Sequence, residues 1–368
     1  MRLSKKPPEK NASALRVVRG VRGGHEGLPG NRPPQRDGGA PSRPEVNAAG
    51  LVEGVLSGDR GQLARAITLV ESNAPEHFKQ SQEMLKQLLP HSGGSVRVGI
   101  TGVPGAGKST LIETLGEELT GRGHQVAVTA VDPSSSRSGG SILGDKTRME
   151  RLAVNRHAYI RPSPSGGVLG GVTRKTRETI LLFEAAGYDV VLVETIGVGQ
   201  SEIAVRSMVD FFLLVLVAGA GDELQGLKRG VMELADAVLV NKADGDNLEA
   251  AERARGVYGQ ALHYLRPATE GWETRAVTAS ALSGAGVPEL WRAVETFIRL
   301  TTASDAFQRR RREQERDWMH AMLDHQLRKQ FLGHPAVRDR LPQLERSVLA
   351  GETTATAAAQ ELLDLFSG

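Results

Sequence analysis

The chain has 368 residues, 39% hydrophobic and 24% charged, enough for one large domain with attachments or for two domains. Its net charge of +3 is uneven: residues 1–45 carry ten basic and four acidic side chains and are therefore +6, leaving −3 for the rest. A charged tail on a near-neutral body excludes a compositional case for a nucleic-acid-binding core, and the absence of cysteine excludes disulfides, thiolate metal sites and cysteine nucleophiles.

Residues 1–45 are rich in Pro, Gly and Arg and poor in large apolar side chains, a composition that predicts a disordered basic extension. A non-essential extension fits a cytoplasmic protein. An organelle transit peptide would instead imply the mitochondrial matrix. Pro and Gly follow the basic start where a secretory signal needs an apolar segment. The longest apolar run, Phe211 to Ala220, is about half the length of a membrane span and suits a buried strand, so no membrane association is expected.

Residues 46–92 form a predicted helical segment. Leu51, Val52, Val55 and Leu56 recur at helical intervals, as do Leu63, Ala66, Ile67 and Val70, with Ser57-Gly58-Asp59 between them. Asp59 suits the N-cap of the second helix. His77 to Leu89 predicts a third. Helices placed before the first strand are expected to pack on the outside of the domain that follows.

Residues 93–302 change character. Apolar strands are predicted at 96–100, 126–131, 188–193, 211–217, 237–240 and 275–278, with helical stretches at 110–120, 173–186 and 248–266. Strands alternating with helices indicate an α/β fold with a mostly parallel sheet covered on both faces. Residues 303–368 then read as helical. Gln308 and the four arginines 309–312 precede an apolar stripe of Trp318, Met319, Met322, Leu323 and Leu327, suited to internal packing or to an oligomer contact.

The first strand runs into Gly102-Val103-Pro104-Gly105-Ala106-Gly107-Lys108-Ser109, a complete G-x-x-x-x-G-K-[ST] phosphate loop, and Thr110 continues into a helix. The glycines let successive N–H groups turn inward toward phosphate oxygens, and the helix adds its positive end. Lys108 is expected to reach the β- and γ-phosphates and the Ser109 hydroxyl to ligate Mg²⁺.

Asn241-Lys242-Ala243-Asp244 follows the strand at 237–240 and matches the N-K-x-D pattern of GTP-binding domains. Asp244 would accept from guanine N1 and its exocyclic amine. Adenine lacks those donors, so a buried carboxylate discriminates strongly. Lys242 would lie along the base, and Asn241 would tie this loop to the phosphate loop. Ser280-Ala281-Leu282 resembles the further loop that supports the guanine. Bound GTP or GDP with Mg²⁺ is thus expected.

Glu194-Thr195-Ile196-Gly197 stands where GTPases place D-x-x-G, the acid reaching Mg²⁺ and the glycine N–H sensing the γ-phosphate. Val198 takes the place of a water-orienting Gln, with Gln200 and Glu202 out of register, which predicts slow intrinsic hydrolysis completed by a partner. Asp132 ends the second strand and Asp145 follows on the same connection. Either suits the metal shell or attacking water, and either equally suits a cap or turn.

VDPSSSRSGGSILGDKTRM at 131–149, RPSPSGGVLGGV at 161–172, VETIGVGQSE at 193–202, GAGDELQGLKRG at 219–230 and NKAD at 241–244 together resemble the MeaB/ArgK group of P-loop GTPases. The resemblance covers about residues 50–365; residues 1–45 match none of its motifs. It implies a P-loop GTPase domain with an N-terminal helical segment and a C-terminal helical dimerisation arm. It further implies a homodimeric chaperone that gates adenosylcobalamin delivery to methylmalonyl-CoA mutase, or a related acyl-CoA mutase, and protects that enzyme. The cobalamin would be carried by the partner. The resemblance raises Asp132, Asp145 and Glu194 to Mg²⁺-site and catalytic residues beside Lys108. It also implies a coupling segment at 217–229, with Asp222 and Lys228 at its matched positions.

Three other readings compete. A metal-insertion GTPase would need soft ligands, whereas this chain has no Cys and its nine His are scattered. A kinase linked to amino-acid transport meets the guanine pattern as an objection. A purely structural nucleotide-binding protein would bind without turnover.

Overall fold

Strands buried on both faces read as unbroken apolar runs, and the runs in this chain pair side by side. The computed structural model describes residues 48–131, 149–161, 169–195, 201–219 and 229–367. Within them β1 is Val96–Gly102, β2 Val126–Val131, β3 Ala158–Arg161, β4 Val190–Thr195, β5 Phe211–Val217, β6 Ala237–Asn241 and β7 Arg275–Thr278. They form one sheet in the order β3-β2-β4-β1-β5-β6-β7, parallel at every pairing. Parallel neighbours need long crossovers, so helices must cover the sheet.

On one face lie α4 (Lys108–Gly121) and α10 (Val287–Ala303). Their Leu111, Ile112, Leu115, Trp291, Val294 and Phe297 share a core with Val98, Ile100, Leu192, Phe211, Leu213 and Leu239 of the strands. Helix α9 (Leu248–His263) packs Tyr258 and Leu262 with Leu214, Leu216, Val238 and Val240, the opposite set in strand alternation. Helix α6 (Leu169–Ala185) lies against β2. Short helices α5 (Glu150–Val154), α7 (Ser201–Arg206) and α8 (Arg229–Leu234) complete the connections among the described residues.

Helices α1 (Ala48–Leu56), α2 (Arg60–Glu71) and α3 (Pro75–Leu88) pack on one another, and all three contact α6. That is the outer position expected for them. Asp59 caps α2 as expected, its carboxylate accepting from the Gly61 and Gln62 amides at 2.7 and 3.0 Å.

Four strand expectations change: β1 runs on to Gly102 and β6 to Asn241, past the predicted ends at 100 and 240, and two others differ more. β3 was not among the six predicted strands. It has only four residues and sits at the sheet edge, too short for alternation to show. β4 starts two residues later than predicted and runs to Thr195, because its register with β1 and β2 continues through Glu194.

The C-terminal region is helical as predicted: α11 (Ala306–Gly333), α12 (Pro335–Leu349) and α13 (Ala355–Ser367). Val337 and Leu344 of α12 pack on Ala358 and Leu362 of α13. Helix α11 buries only Ala306 and Gln314. Its arginines are not all a solvated face, as a charge run normally is. Arg310 and Arg311 turn inward onto the residues just before β1, β5 and β6, the N-terminal edge of the sheet. Gln314 donates to the Val209 carbonyl at 2.9 Å. Arg177 of α6 lies over Trp318 with 4.9 Å to the ring centroid. Burial lowers its pKa to about 10, against the opposing pull of Glu315.

Candidate nucleotide site

The strand order reverses at β1: β4 and β2 continue on one side, β5 and β6 on the other. A crevice for ligands opens at the carboxyl ends of strands at such a switch point. The phosphate loop leaves β1 there. Gly102 has φ +151°, and a Cβ on it would lie 2.0 Å from the Val215 carbonyl oxygen of β5, so no side chain fits. Gly107, the N-cap of α4, has φ +87°. A Cβ there would meet the Asn241 amide nitrogen at 2.6 Å. These two glycines let the backbone curl tightly around the start of a 14-residue helix, whose free N–H groups make an anion site. Lys108 donates to the Gly102 and Val103 carbonyls at 2.8 and 3.2 Å, which keeps the ammonium on the loop. Pro104, Gly105 and Thr110 are exposed, whereas Val103 and Ala106 are buried beneath.

Register brings the acid to the loop. Glu194 pairs with Ile100 of β1, two residues before Gly102. Its side chain is buried, and the Ser109 hydroxyl donates to its Oε1 at 3.0 Å. A hydroxyl and a carboxylate in contact at the mouth of a phosphate loop are hard oxygen donors. They suit Mg²⁺, which takes one or two carboxylates and completes its shell with phosphates and water. No cluster of three or more His, Cys, Asp or Glu stands ready for a metal among the described residues. One hydroxyl and one carboxylate leave the rest of such a shell to phosphate oxygens and water, which fits a cation held jointly with a nucleotide. Just below, the Thr195 hydroxyl donates to Thr101 at 2.8 Å, with both side chains buried. This ties the strand carrying the acid to the strand carrying the loop.

Asn241 ends β6 and is buried. Its amide donates to the Ala106 carbonyl at 2.7 Å, and its oxygen accepts from the Ala281 amide at 3.0 Å. The expected tie to the phosphate loop is therefore present and continues to the loop after β7. Lys242 takes a left-handed conformation (φ 60°), rare for a side-chain-bearing residue, and its carbonyl accepts from Asn247 at 2.6 Å. The Asp244 carboxylate accepts from the buried Ser280 hydroxyl, and the Ser280 amide is held by the Ala285 carbonyl at 2.9 Å. Leu282, two residues on from Ser280, is 85% exposed. Thr114 of α4 donates to the Ala281 carbonyl at 2.6 Å.

The sequence expectations at Lys108, Ser109, Glu194, Asn241, Asp244 and Ser280 thus converge on one edge of the sheet. Those at Asp132, Asp145, Asp222 and Lys228 lie outside the described residues, as do Ile196 to Gln200. Thr101, Thr114 and Thr195 were missed. The available signal was a hydroxyl at the end of a buried strand, which must find a partner.

The sequence matches the family described as "Methylmalonyl Co-A mutase-associated GTPase MeaB" over residues 63–336. It is 53% identical over 326 residues to a Mycobacterium tuberculosis protein described as "Probable GTPase", covering 89% of this chain and 97% of that protein. It is 45% identical over 326 residues to the Mus musculus "Methylmalonic aciduria type A homolog, mitochondrial", covering 86% and 79%. The crystal structure of an LAO/AO transport system kinase superposes with a TM-score of 0.72 at 37% identity, covering 89% of this chain and all of that one.

Proposed function

We propose, because the chain belongs to the MeaB family of methylmalonyl-CoA mutase-associated GTPases, that it spends GTP to gate and protect a cobalamin-dependent acyl-CoA mutase. The chain is a P-loop GTPase. The observation that carries the residue-level reading is the Asn241 bridge, which locks the phosphate loop and the base loop into one frame. In this reading Lys108 and the loop amides hold the phosphates. Asp244, with Ser280, Ala281 and Leu282, reads guanine, while Lys242 lies along it. Ser109 and Glu194 hold Mg²⁺, joined by Asp132 and Asp145. Bound Mg²⁺ would neutralise charge building on the phosphates.

The partner is a methylmalonyl-CoA mutase or a related acyl-CoA mutase carrying adenosylcobalamin, with Asp222 and Lys228 in the coupling segment. Val198 in the water-orienting position makes intrinsic turnover slow. Capture from native extract with a non-hydrolysable GTP analogue is expected to retain such a mutase. Adding it back is expected to raise phosphate release at least tenfold. Recovery of no mutase, or no stimulation by one, sinks the chaperone role. Label from γ-phosphate appearing on a protein would favour a kinase instead.

The arm supports a homodimer. Met319, Leu323 and Leu327 of α11, each more than half exposed, repeat every four residues along one face. Leu323→Glu is expected to convert the dimer to monomer in sedimentation while leaving GTP affinity within about twofold. An unchanged sedimentation coefficient would remove this surface from the dimer. Among the described residues no helix is long and apolar enough to cross a membrane. A cytoplasmic location follows if residues 1–45 are a plain extension, and a matrix location if they are a transit peptide.

A further inference from the structure

Threonines inside helices normally turn their hydroxyl back onto the carbonyl four residues earlier. Five in the described helices do so: Thr68 onto Ala64, Thr120 onto Gly116, Thr176 onto Val172, Thr296 onto Arg292 and Thr301 onto Phe297. Thr114 does not. It sits on α4 a turn and a half beyond Ser109, and its hydroxyl leaves the helix to donate to the Ala281 carbonyl, 167 residues away, at 2.6 Å.

We infer that Thr114 is a positioning residue for guanine recognition, a strut by which the phosphate-loop helix fixes the loop that holds Ser280 against Asp244. Ala281 is 3% exposed, and both of its backbone polar groups are used. Its N–H is taken by Asn241 and its carbonyl by Thr114. Asn241 is itself bonded to the phosphate loop at Ala106, so both holds on Ala281 come from the phosphate side. Ser280, the preceding residue, donates to Asp244. A shift of the Ala281 peptide therefore moves the hydroxyl that orients the base-reading carboxylate. The Ser280–Ala281 peptide is held by Asn241 at its N–H and by the Gly284 amide at its carbonyl (2.9 Å), and Thr114 fixes the next peptide, through the Ala281 carbonyl, to the phosphate-loop helix. Its methyl is also close to Gly284, where an added Cβ would lie 3.8 Å away.

The inference rests on Asp244 reading the guanine, and the test separates the two. Thr114→Val keeps shape and removes the hydroxyl; Thr114→Ser keeps the hydroxyl. Dissociation of a fluorescent GDP analogue and steady-state turnover are measured with GTP and with ITP, which lacks the exocyclic amine. Thr114→Val is expected to release GDP about tenfold faster, raise KM for GTP to a similar extent, and narrow the GTP preference over ITP. Its kcat at saturation stays unchanged, and Thr114→Ser behaves as the wild type. A purely structural role would lower the unfolding temperature without moving the GTP-to-ITP ratio. Asp244→Asn serves as the control. If it abolishes the preference while Thr114→Val keeps wild-type release and selectivity, the strut alone is overturned. If Asp244→Asn leaves the preference intact, the base reading falls and the strut with it. Should Thr114→Val fail to fold, Thr114→Ala carries the same expectation.

Discussion

Lys108→Ala is expected to abolish GTP binding and turnover together, lowering affinity by at least about a hundredfold. The ammonium is held on the Gly102 and Val103 carbonyls, within the turn of the phosphate-loop sequence. No other lysine lies in that turn. Removing one partner of a desolvated, hydrogen-bonded charge pair costs about 2–5 kcal/mol, and each 1.4 kcal/mol is a factor of about ten. Calorimetric titration with a GTP analogue and a phosphate-release assay read the two losses. Thermal unfolding without nucleotide should be nearly unchanged, because Lys108 is partly exposed and contributes little to the core. Binding retained with turnover lost would place Lys108 in the chemical step only. Turnover within tenfold of the wild type would remove it from the site. If the variant loses GTP yet partner function persists, the protein acts as a scaffold and its hydrolysis is incidental.

How far the sequence carried this site depends on whether each residue's role is local. The phosphate loop is a contiguous pattern whose geometry follows from Gly102, Gly107 and the helix that opens at Lys108, so eight residues sufficed to read it. The Asn241 tie was legible for the same reason, since the pattern around Asp244 is also contiguous. Glu194 was found one position beyond its predicted strand. The position held while the boundary moved, because register with β1 lengthens the strand. Thr114 and Ala281 could not be joined from sequence: nothing local in α4 says that a hydroxyl will cross to β7's loop. Arg310 and Arg311 failed in another way. A run of four arginines on a helix is normally a solvated face, and only the packed helix shows which two turn inward. The buried partner, Asp210, is visible in sequence as a single acid before an apolar strand, a position equally natural for a turn.

That partner sets the second large effect. Asp210 is 1% exposed, and its carboxylate accepts from Arg311 Nε and Nη2 at 2.7 and 2.6 Å and from the Arg97 amide at 2.8 Å. Arg311 also donates to the Ser95 carbonyl at 2.6 Å, so one guanidinium closes the N-terminal edges of β1 and β5 and seats α11 on both. Arg311→Ala leaves a carboxylate buried with one amide. The expected loss is about 3–5 kcal/mol, or roughly 10 °C in Tm for a domain of this size. Lysine should recover little, since it cannot fork to both oxygens and reach Ser95. Adding Asp210→Asn to Arg311→Ala should restore part of the loss by removing the unpaired charge, which a mere packing defect would not permit. The candidate nucleotide site lies at the carboxyl ends of the same strands, and α11 at their amino ends. GTP affinity measured below the new Tm should therefore stay within about threefold, while the proposed dimer weakens as its arm loses its seat. A variant that loses GTP affinity and stability in equal measure would show instead that the two ends of the sheet are not independent. The arm would then be part of the nucleotide switch through Gln314 and the carbonyls that close α7.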